Sequence, residues 1–206
     1  MPAPTARRSA GPNDELGLPL CGRAGRRPPG RNHPVNLVRV TEAPVLTPRP
    51  DVAWEKDAVL NAAAIHDGEL FHLFYRGITH TPVRNLSCLG HAWSSDGVHF
   101  ERADEPILRN GTRPETAQGV EDPRIVKIGD TYCLCYVCWN NVNVDIGLAT
   151  SPDLFSWTDH GVVFDHTQCG NNKNATLFPE KIGGEYALIH RPMGFTWGDD
   201  PAPLDM

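Results

Sequence analysis

The chain has 206 residues, of which 40% are hydrophobic and 21% are charged, so it is long enough for one domain with a buried core. Its net charge of -6 at pH 7 and the lack of a basic stripe argue against a nucleic-acid partner. No run approaches the roughly 18 apolar residues of a membrane span, and no apolar segment follows the N-terminal arginines. Neither a membrane helix nor a secretory signal is therefore expected.

Residues 1–33 carry no hydrophobic period and are dominated by Pro, Gly and Arg. Such a segment buries too little apolar surface to order itself, so a disordered N-terminal arm is predicted. From residue 34 onward, short apolar or aromatic runs alternate with Gly, Asp and Pro. Residues 34–206 are therefore predicted to form one folded domain.

Two patterns repeat along this domain. A Gly/Asp turn followed by a strand of about seven residues occurs at 67–77, 128–138 and 182–192. A second pattern reads Ser-x-Asp, an aromatic residue, a polar step and an apolar run, and it begins at Ser94 and at Ser151. The patterns recur at a spacing of about 55 residues, and no stretch of about 10 residues shows a helical period. An all-β propeller with four-stranded blades is predicted.

A β-sandwich is the competing fold, because its turn signals also come about every 8 to 12 residues. The similarity over a long period favours the propeller. About three blades fit between Val35 and Met206, whereas a closed propeller typically has about 4 to 8. Residues 193–206 break off before the third blade is complete. The propeller is therefore expected to be partial, and a chain of this kind could pair with a second copy as a homo-oligomer.

The six cysteines raise the question of metal binding, above all in the run CLCYVC at 133–138. Alternation along a strand places Cys133 and Cys135 on one face and Cys138 on the other, which is a poor geometry for joint chelation. The histidines match no zinc spacing. Small buried core cysteines, a reduced cytoplasmic setting and no metal site are expected.

Each strand predicted to be the innermost of its blade begins with a polar cluster. The members, in chain order, are Asn61, Glu121, Asp122, Arg124, Asn172, Lys173 and Asn174. Innermost strands line the central channel of a propeller, so these side chains are expected to converge on one funnel. A charged turn between strands is the ordinary alternative for Glu121 and Asp122. Clusters at corresponding places in successive repeats favour a functional site.

The runs GVEDPRIV at 119–126 and NKNATLFPEKIGGEYALIHRP at 172–192 resemble glycoside hydrolase family 130. The resemblance covers roughly residues 36–192. That family contains inverting β-mannoside phosphorylases and some β-mannosidases. The resemblance implies a five-bladed β-propeller, partial in this chain, that acts on an oligosaccharide substrate and cleaves β-mannosidic bonds with inversion.

The resemblance also implies roles for individual residues. Asp122 would be the catalytic acid, and Asn61 would contact the substrate. Apart from the resemblance, Glu121 and Arg124 are candidate substrate contacts because they lie beside Asp122 in the sequence. Phosphate, in a phosphorylase, would be held by four residues, namely Arg76, Lys173, His190 and Arg191. No cofactor is expected, and inorganic phosphate would be the co-substrate.

Glycoside cleavage needs a proton on the leaving oxygen while positive charge develops on the sugar ring, and a carboxylic acid held protonated near neutrality supplies it. Glu121 would favour the protonated form of Asp122 if the two lay side by side. Strand alternation, however, would turn them to opposite faces, where Glu121 would bind a sugar hydroxyl or Arg124. Arg124 could equally be an internal ion-pair partner.

Two nucleophiles remain open. Phosphate needs cations but no catalytic base, and the cationic residues named above would form its clamp. Water needs a second carboxylate, about 6.5–9.5 Å from the first for inversion, and Glu55, Asp57 and Glu180 are candidates. A β-mannoside hydrolase and a non-catalytic propeller fragment therefore stay as alternatives to the phosphorylase.

Overall fold

The computed structural model of the chain describes residues 38–194. The predicted N-terminal arm at 1–33 and residues 195–206 lie outside the described residues. Within the described range the protein is nearly all β, with one four-residue α-helix and one short 3₁₀ helix. No helix in this range is long and apolar enough to cross a membrane.

Ten strands follow one another along the described chain. They are β1 (Ala58–His66), β2 (Phe71–His80), β3 (Asn85–Ser94), β4 (Glu101–Arg102), β5 (Gly119–Ile128), β6 (Thr131–Trp139), β7 (Val144–Ser151), β8 (Thr158–Phe164), β9 (Asn172–Leu177) and β10 (Leu188–Pro192). The 3₁₀ helix (Pro114–Thr116) precedes β5, and helix α1 (His166–Cys169) precedes β9.

The strands form antiparallel meanders that correspond to propeller blades. Blade one is β1-β2-β3-β4, blade two is β5-β6-β7-β8, and β9 pairs with β10 as the first two strands of blade three. A single parallel bridge between Ser87 and Gly119 links blades one and two. Strand β1 contacts β5, and β5 contacts β9, so the first strand of each blade lies at a common axis. The all-β propeller prediction is confirmed.

The repeated Ser-x-Asp motif forms the turn after the third strand of each complete blade. The hydroxyl of Ser94 accepts hydrogen bonds from two backbone N–H groups of the turn, and Asp96 accepts from the next two. Ser151 and Asp153 make the same set of bonds in blade two. The backbone N–H groups of this turn lie outside the sheet, and these side chains accept their hydrogen bonds. This explains why the motif recurs at the turn of each complete blade.

In each complete blade, a buried tyrosine packs against a glycine at the equivalent place on the neighbouring strand. Tyr75 pairs with Gly90 across β2 and β3, and Tyr136 pairs with Gly147 across β6 and β7. A Cβ atom on Gly147 would lie 2.3 Å from the Tyr136 ring, so only glycine leaves space for it. Each tyrosine hydroxyl donates to a carboxylate. This pairing fixes the middle of each blade.

The prediction of buried core cysteines is confirmed for Cys88, Cys133, Cys135 and Cys138. Cys138 packs between blades one and two, whereas Cys135 packs on the opposite face of β6. Burial raises the pKa of the Cys135 thiol to about 11 and that of Cys138 to about 12, so both stay neutral near pH 7. The remaining two side chains lie outside the described part of the structure.

Candidate active site

The first strand of each blade carries a β-bulge at the same place. In each bulge two residues face one residue of the next strand, and the first of the two is Asn61 in β1, Asp122 in β5 and Asn174 in β9. Their φ angles are 51°, 49° and 56°. A non-glycine residue in this left-handed region carries strain of roughly 1–3 kcal/mol, and such strain concentrates at functional sites.

The bulge in β5 brings Glu121 and Asp122 to one guanidinium. Nη2 of Arg76 lies 2.5 Å from Oε1 of Glu121, and Nη1 lies 3.7 Å from Oδ1 of Asp122. The prediction that strand alternation turns these carboxylates to opposite faces is wrong. The left-handed backbone at Asp122 interrupts the alternation, as a bulge does.

The carboxylate of Asp122 is also held from blade one. Nδ2 of Asn61 donates a hydrogen bond to its Oδ1 at 2.7 Å, and Asp122 is only 8% exposed. Its second oxygen, Oδ2, has no hydrogen-bond partner among residues 38–194. A carboxyl group with one oxygen fixed and the other open is arranged to meet a ligand at the axis.

Glu121 lies deeper and is fully engaged. Its Oε1 accepts from Arg76 and, at 3.3 Å, from the hydroxyl of Ser87. Its Oε2 lies 3.5 Å from Nζ of Lys173. Since Arg76 belongs to blade one and Lys173 to blade three, this buried carboxylate ties all three blades together at the axis.

Three predicted site residues make no direct contact with these two carboxylates in the described part of the chain. The guanidinium of Arg124 donates to the carbonyl of the preceding residue at 2.7 Å, so its predicted ion pair with Glu121 is not formed. Nδ1 of His190 lies 2.7 Å from Oδ1 of Asn172. Arg191 is exposed and pairs with Lys173 across β9 and β10.

Three carboxylates are the predicted candidates for activating water. Glu55 is buried inside blade one, where it binds two arginines and a tyrosine hydroxyl. Asp57 accepts the backbone N–H of His80, and Glu180 is exposed in the loop after β9. None of the three contacts Asp122. Within the described range, no group of three or more acidic, His or Cys side chains is arranged to hold a metal ion.

Sequence reasoning missed Ser87. Its hydroxyl accepts from Nε of Arg76 at 3.0 Å and donates to Glu121, and the residue is completely buried in β3. A lone serine between two apolar residues of a buried strand was the signal, since a buried hydroxyl needs a partner. Ser87 therefore helps to set the position of Arg76.

The chain is similar to known proteins over most of its length. The profile of a family described as beta-1,4-mannooligosaccharide phosphorylase matches residues 33–198. A 1,2-beta-oligomannan phosphorylase of Thermoanaerobacter sp. (strain X514) is 43% identical over 170 residues, and a beta-1,2-mannobiose phosphorylase of the same organism is 41% identical over 174 residues. The alignments cover 79% and 78% of this chain but 56% of each relative, so the chain spans about half their length.

A solved structure shows the same fold. It comes from work describing family 130 glycoside hydrolases that target beta-1,2 mannosidic linkages in Candida mannan, and it superposes with a TM-score of 0.58 at 29% identity. The superposition covers 71% of this chain and 47% of the other. The chain belongs to glycoside hydrolase family 130, and its blades are part of the five-bladed propeller of that family.

Proposed function

We propose that this chain supplies the acid and part of the phosphate site of an enzyme that cleaves β-1,2-mannosidic bonds by phosphorolysis. The products are mannose 1-phosphate and a shortened mannoside. The observation that carries the proposal is the Asp122 carboxyl, which is 8% exposed and held by Asn61 beside Arg76. Its Oδ2 atom, which has no hydrogen-bond partner among residues 38–194, lies where the first strands of three blades meet.

Asp122 acts as the general acid. Because Oδ1 accepts the hydrogen bond from Asn61, the proton is carried on Oδ2 and passes to the glycosidic oxygen as the bond to the leaving sugar breaks. A positioned acid of this kind contributes about 10²–10⁴-fold to the rate. Attack on the opposite face of the ring inverts the anomeric carbon, so a β-mannoside gives α-mannose 1-phosphate.

Phosphate is the proposed nucleophile. It arrives as an oxyanion and needs cations rather than a base, and Lys173 and Arg191 lie side by side on β9 and β10. Arg76, which the resemblance assigns to the same clamp, lies beside the acid and bonds Glu121 and Ser87, so its position favours orienting Asp122. His190 would reach phosphate through Nε2, since Nδ1 faces Asn172. Glu55, one candidate base of a hydrolase, has both carboxylate oxygens bonded inside blade one, which favours phosphorolysis over hydrolysis.

Two parts of the proposal rest on similarity. Both Thermoanaerobacter relatives are named for β-1,2-linked mannosides, and the proposed linkage follows them rather than the β-1,4 linkage in the family description. The roles of Glu121 and Arg124 as substrate contacts rest on their place beside Asp122 in the EDPR run. For Glu121, burial and its bonds to Arg76 and Lys173 support a positioning role instead.

Product analysis tests the proposal. The purified chain is incubated with β-1,2-mannobiose or β-1,4-mannobiose, each with and without inorganic phosphate, and sugar products are separated by chromatography. We expect mannose 1-phosphate from β-1,2-mannobiose only when phosphate is present. Free mannose at the same rate without phosphate would support the hydrolase, and no product from either sugar would support the non-catalytic fragment. Homo-oligomerisation stays a separate prediction, which gel filtration checks.

A further inference from the structure

We infer that Asn174 is a further substrate-binding residue, whose side-chain amide hydrogen-bonds a hydroxyl of the sugar that lies against Asp122. The inference deepens the proposed function and rests on it. Asn174 belongs to the polar cluster at the start of blade three, but neither the resemblance nor the ion-pair network gives it a role.

The position of Asn174 repeats that of Asn61 and Asp122. All three are the first residue of the bulge in the first strand of a blade, with φ angles of 56°, 51° and 49°. The single residue opposite the bulge is His190 in blade three, where Tyr136 stands in blade two. Equivalent backbone geometry at equivalent places gives the side chains the same direction relative to the axis.

Two contacts join side chains of neighbouring blades at or next to this position. Asn61 reaches Asp122 from blade one at 2.7 Å. On the other side, Lys173 reaches Glu121 at 3.5 Å. Lys173 directly precedes Asn174, and Glu121 directly precedes Asp122. Asn174 therefore lies at the same height along the axis as Asp122. A sugar seated against the acid therefore has Asn61 on one side and Asn174 on the other.

The bulge in β9 is anchored on its other side. Ala175, the second bulge residue, is 3% exposed and packs with Val137 and Ile146 between blades two and three. Asn174 is half-buried, and its side chain has no hydrogen-bond partner among residues 38–194. A strained backbone that presents a polar group without a protein partner points to a ligand.

The chemistry of the amide favours sugar over phosphate. Lys173 and Arg191 offer only donors, which suit a phosphate oxyanion. Asn174 offers both a donor and an acceptor, which suit a hydroxyl group that is itself both. Loss of the amide should therefore weaken the use of mannoside and leave the use of phosphate unchanged.

The test uses Asn174→Gly, which removes the amide and suits a left-handed backbone without strain. We expect KM for β-1,2-mannobiose to rise about tenfold, KM for phosphate to stay within about twofold, and the melting temperature not to fall. The matched control is Asn141→Gly, because Asn141 is an exposed asparagine with φ 74° in the β6–β7 turn. This control should leave both KM values unchanged.

The outcomes separate the inference from the proposed function. A wild-type chain that makes mannose 1-phosphate, with an unchanged mannobiose KM in Asn174→Gly, overturns the inference and leaves the function standing. An equal rise in both KM values, or a lower melting temperature, assigns Asn174 a structural role and also overturns it. A wild-type chain that makes no mannose 1-phosphate overturns the proposed function, and the inference falls with it.

Discussion

Glu121 and Asp122 share one arginine at the axis of the blades, yet their surroundings divide their roles. Glu121 has both oxygens bonded to protein groups, whereas Asp122 keeps Oδ2 without a partner in the described residues. A buried carboxylate with two cations is costly to disturb, and one with an open oxygen is available for chemistry. Glu121 therefore positions Arg76 and Lys173, and Asp122 is the residue that we propose to meet the substrate.

Replacing the acid tests this division. Asp122→Asn keeps the shape and the contact with Asn61 but cannot donate the proton to the glycosidic oxygen, so we expect kcat to fall at least about 100-fold. The mannobiose KM should change little. Asp130→Asn is the control, because Asp130 is exposed in the turn at the far end of β5. Equal kcat values in Asp122→Asn and wild type, measured as phosphate-dependent product release, would remove Asp122 from the mechanism.

Replacing Glu121, the neighbour of Asp122, should lower the free energy of unfolding. Glu121→Gln removes the charge that balances Arg76 and Lys173 in a site where Glu121 is 1% exposed. We expect the free energy of unfolding, measured by denaturant titration, to fall by about 3 kcal/mol. Glu101→Gln, at an exposed carboxylate on β4, should change it by less than about 0.5 kcal/mol. A loss no larger than that of the control would deny Glu121 its role as the tie between blades.

At the scale of the strand, regular features were predictable and the bulges were not. The Gly/Asp turn patterns at 67–77 and 128–138 predicted β2 and β6. The Ser-x-Asp motifs indicated only a repeat, and the structure shows that they form the turns after β3 and β7. Alternation failed at Glu121 and Asp122 because no local signal marks a left-handed aspartate. The clue to the bulges was the recurrence of Asn61, Asp122 and Asn174 at equivalent places. That recurrence is visible only when the blades are compared, and the pattern of one strand does not show it.

The tyrosine–glycine pair in the middle of each blade gives a prediction for this scale. Gly147→Ala would place a Cβ atom 2.3 Å from the Tyr136 ring, which is fixed by its hydroxyl. We expect a loss of at least about 2 kcal/mol of unfolding free energy, measured by denaturant titration. The control is Gly129→Asn, with a left-handed glycine in open space, which should cost less than about 1 kcal/mol. Similar costs for both variants would contradict the proposed pairing.

At the scale of the molecule, the long repeat predicted the propeller, but blade-to-blade contacts could not be derived from it. Phe155, from the Ser-x-Asp turn of blade two, packs edge-on against His72 and His91 of blade one. The two imidazoles are hydrogen-bonded at 2.9 Å and buried. The sequence showed these histidines only as scattered residues without a metal spacing, because their partner comes from another repeat.

This interface should weaken in acid. Burial, together with the neighbouring His72, lowers the pKa of His91 from 6.5 to about 3. Between those values the unfolded chain binds a proton that the folded chain excludes, so stability is full above pH 6.5 and falls as the pH drops towards 3. The slope from this group should approach about 1.4 kcal/mol per pH unit at its steepest.

A variant isolates that slope. His91→Gln should flatten the dependence of unfolding free energy on pH between about 4.5 and 6.5, whatever its effect on stability at neutral pH. His66→Gln, at an exposed histidine of β1, should keep the wild-type slope. Denaturant titrations at several pH values measure both, and identical slopes in wild type and His91→Gln would show that His91 titrates normally in the folded chain.

A crystal structure of the Asp122→Asn chain with β-1,2-mannobiose and phosphate tests the central claim most directly. We expect the glycosidic oxygen within about 3.2 Å of the side chain at position 122, with phosphate on the opposite face of the sugar against Lys173 and Arg191. A mannobiose bound away from the first strands of the blades, or a phosphate without contact to those cations, would contradict it.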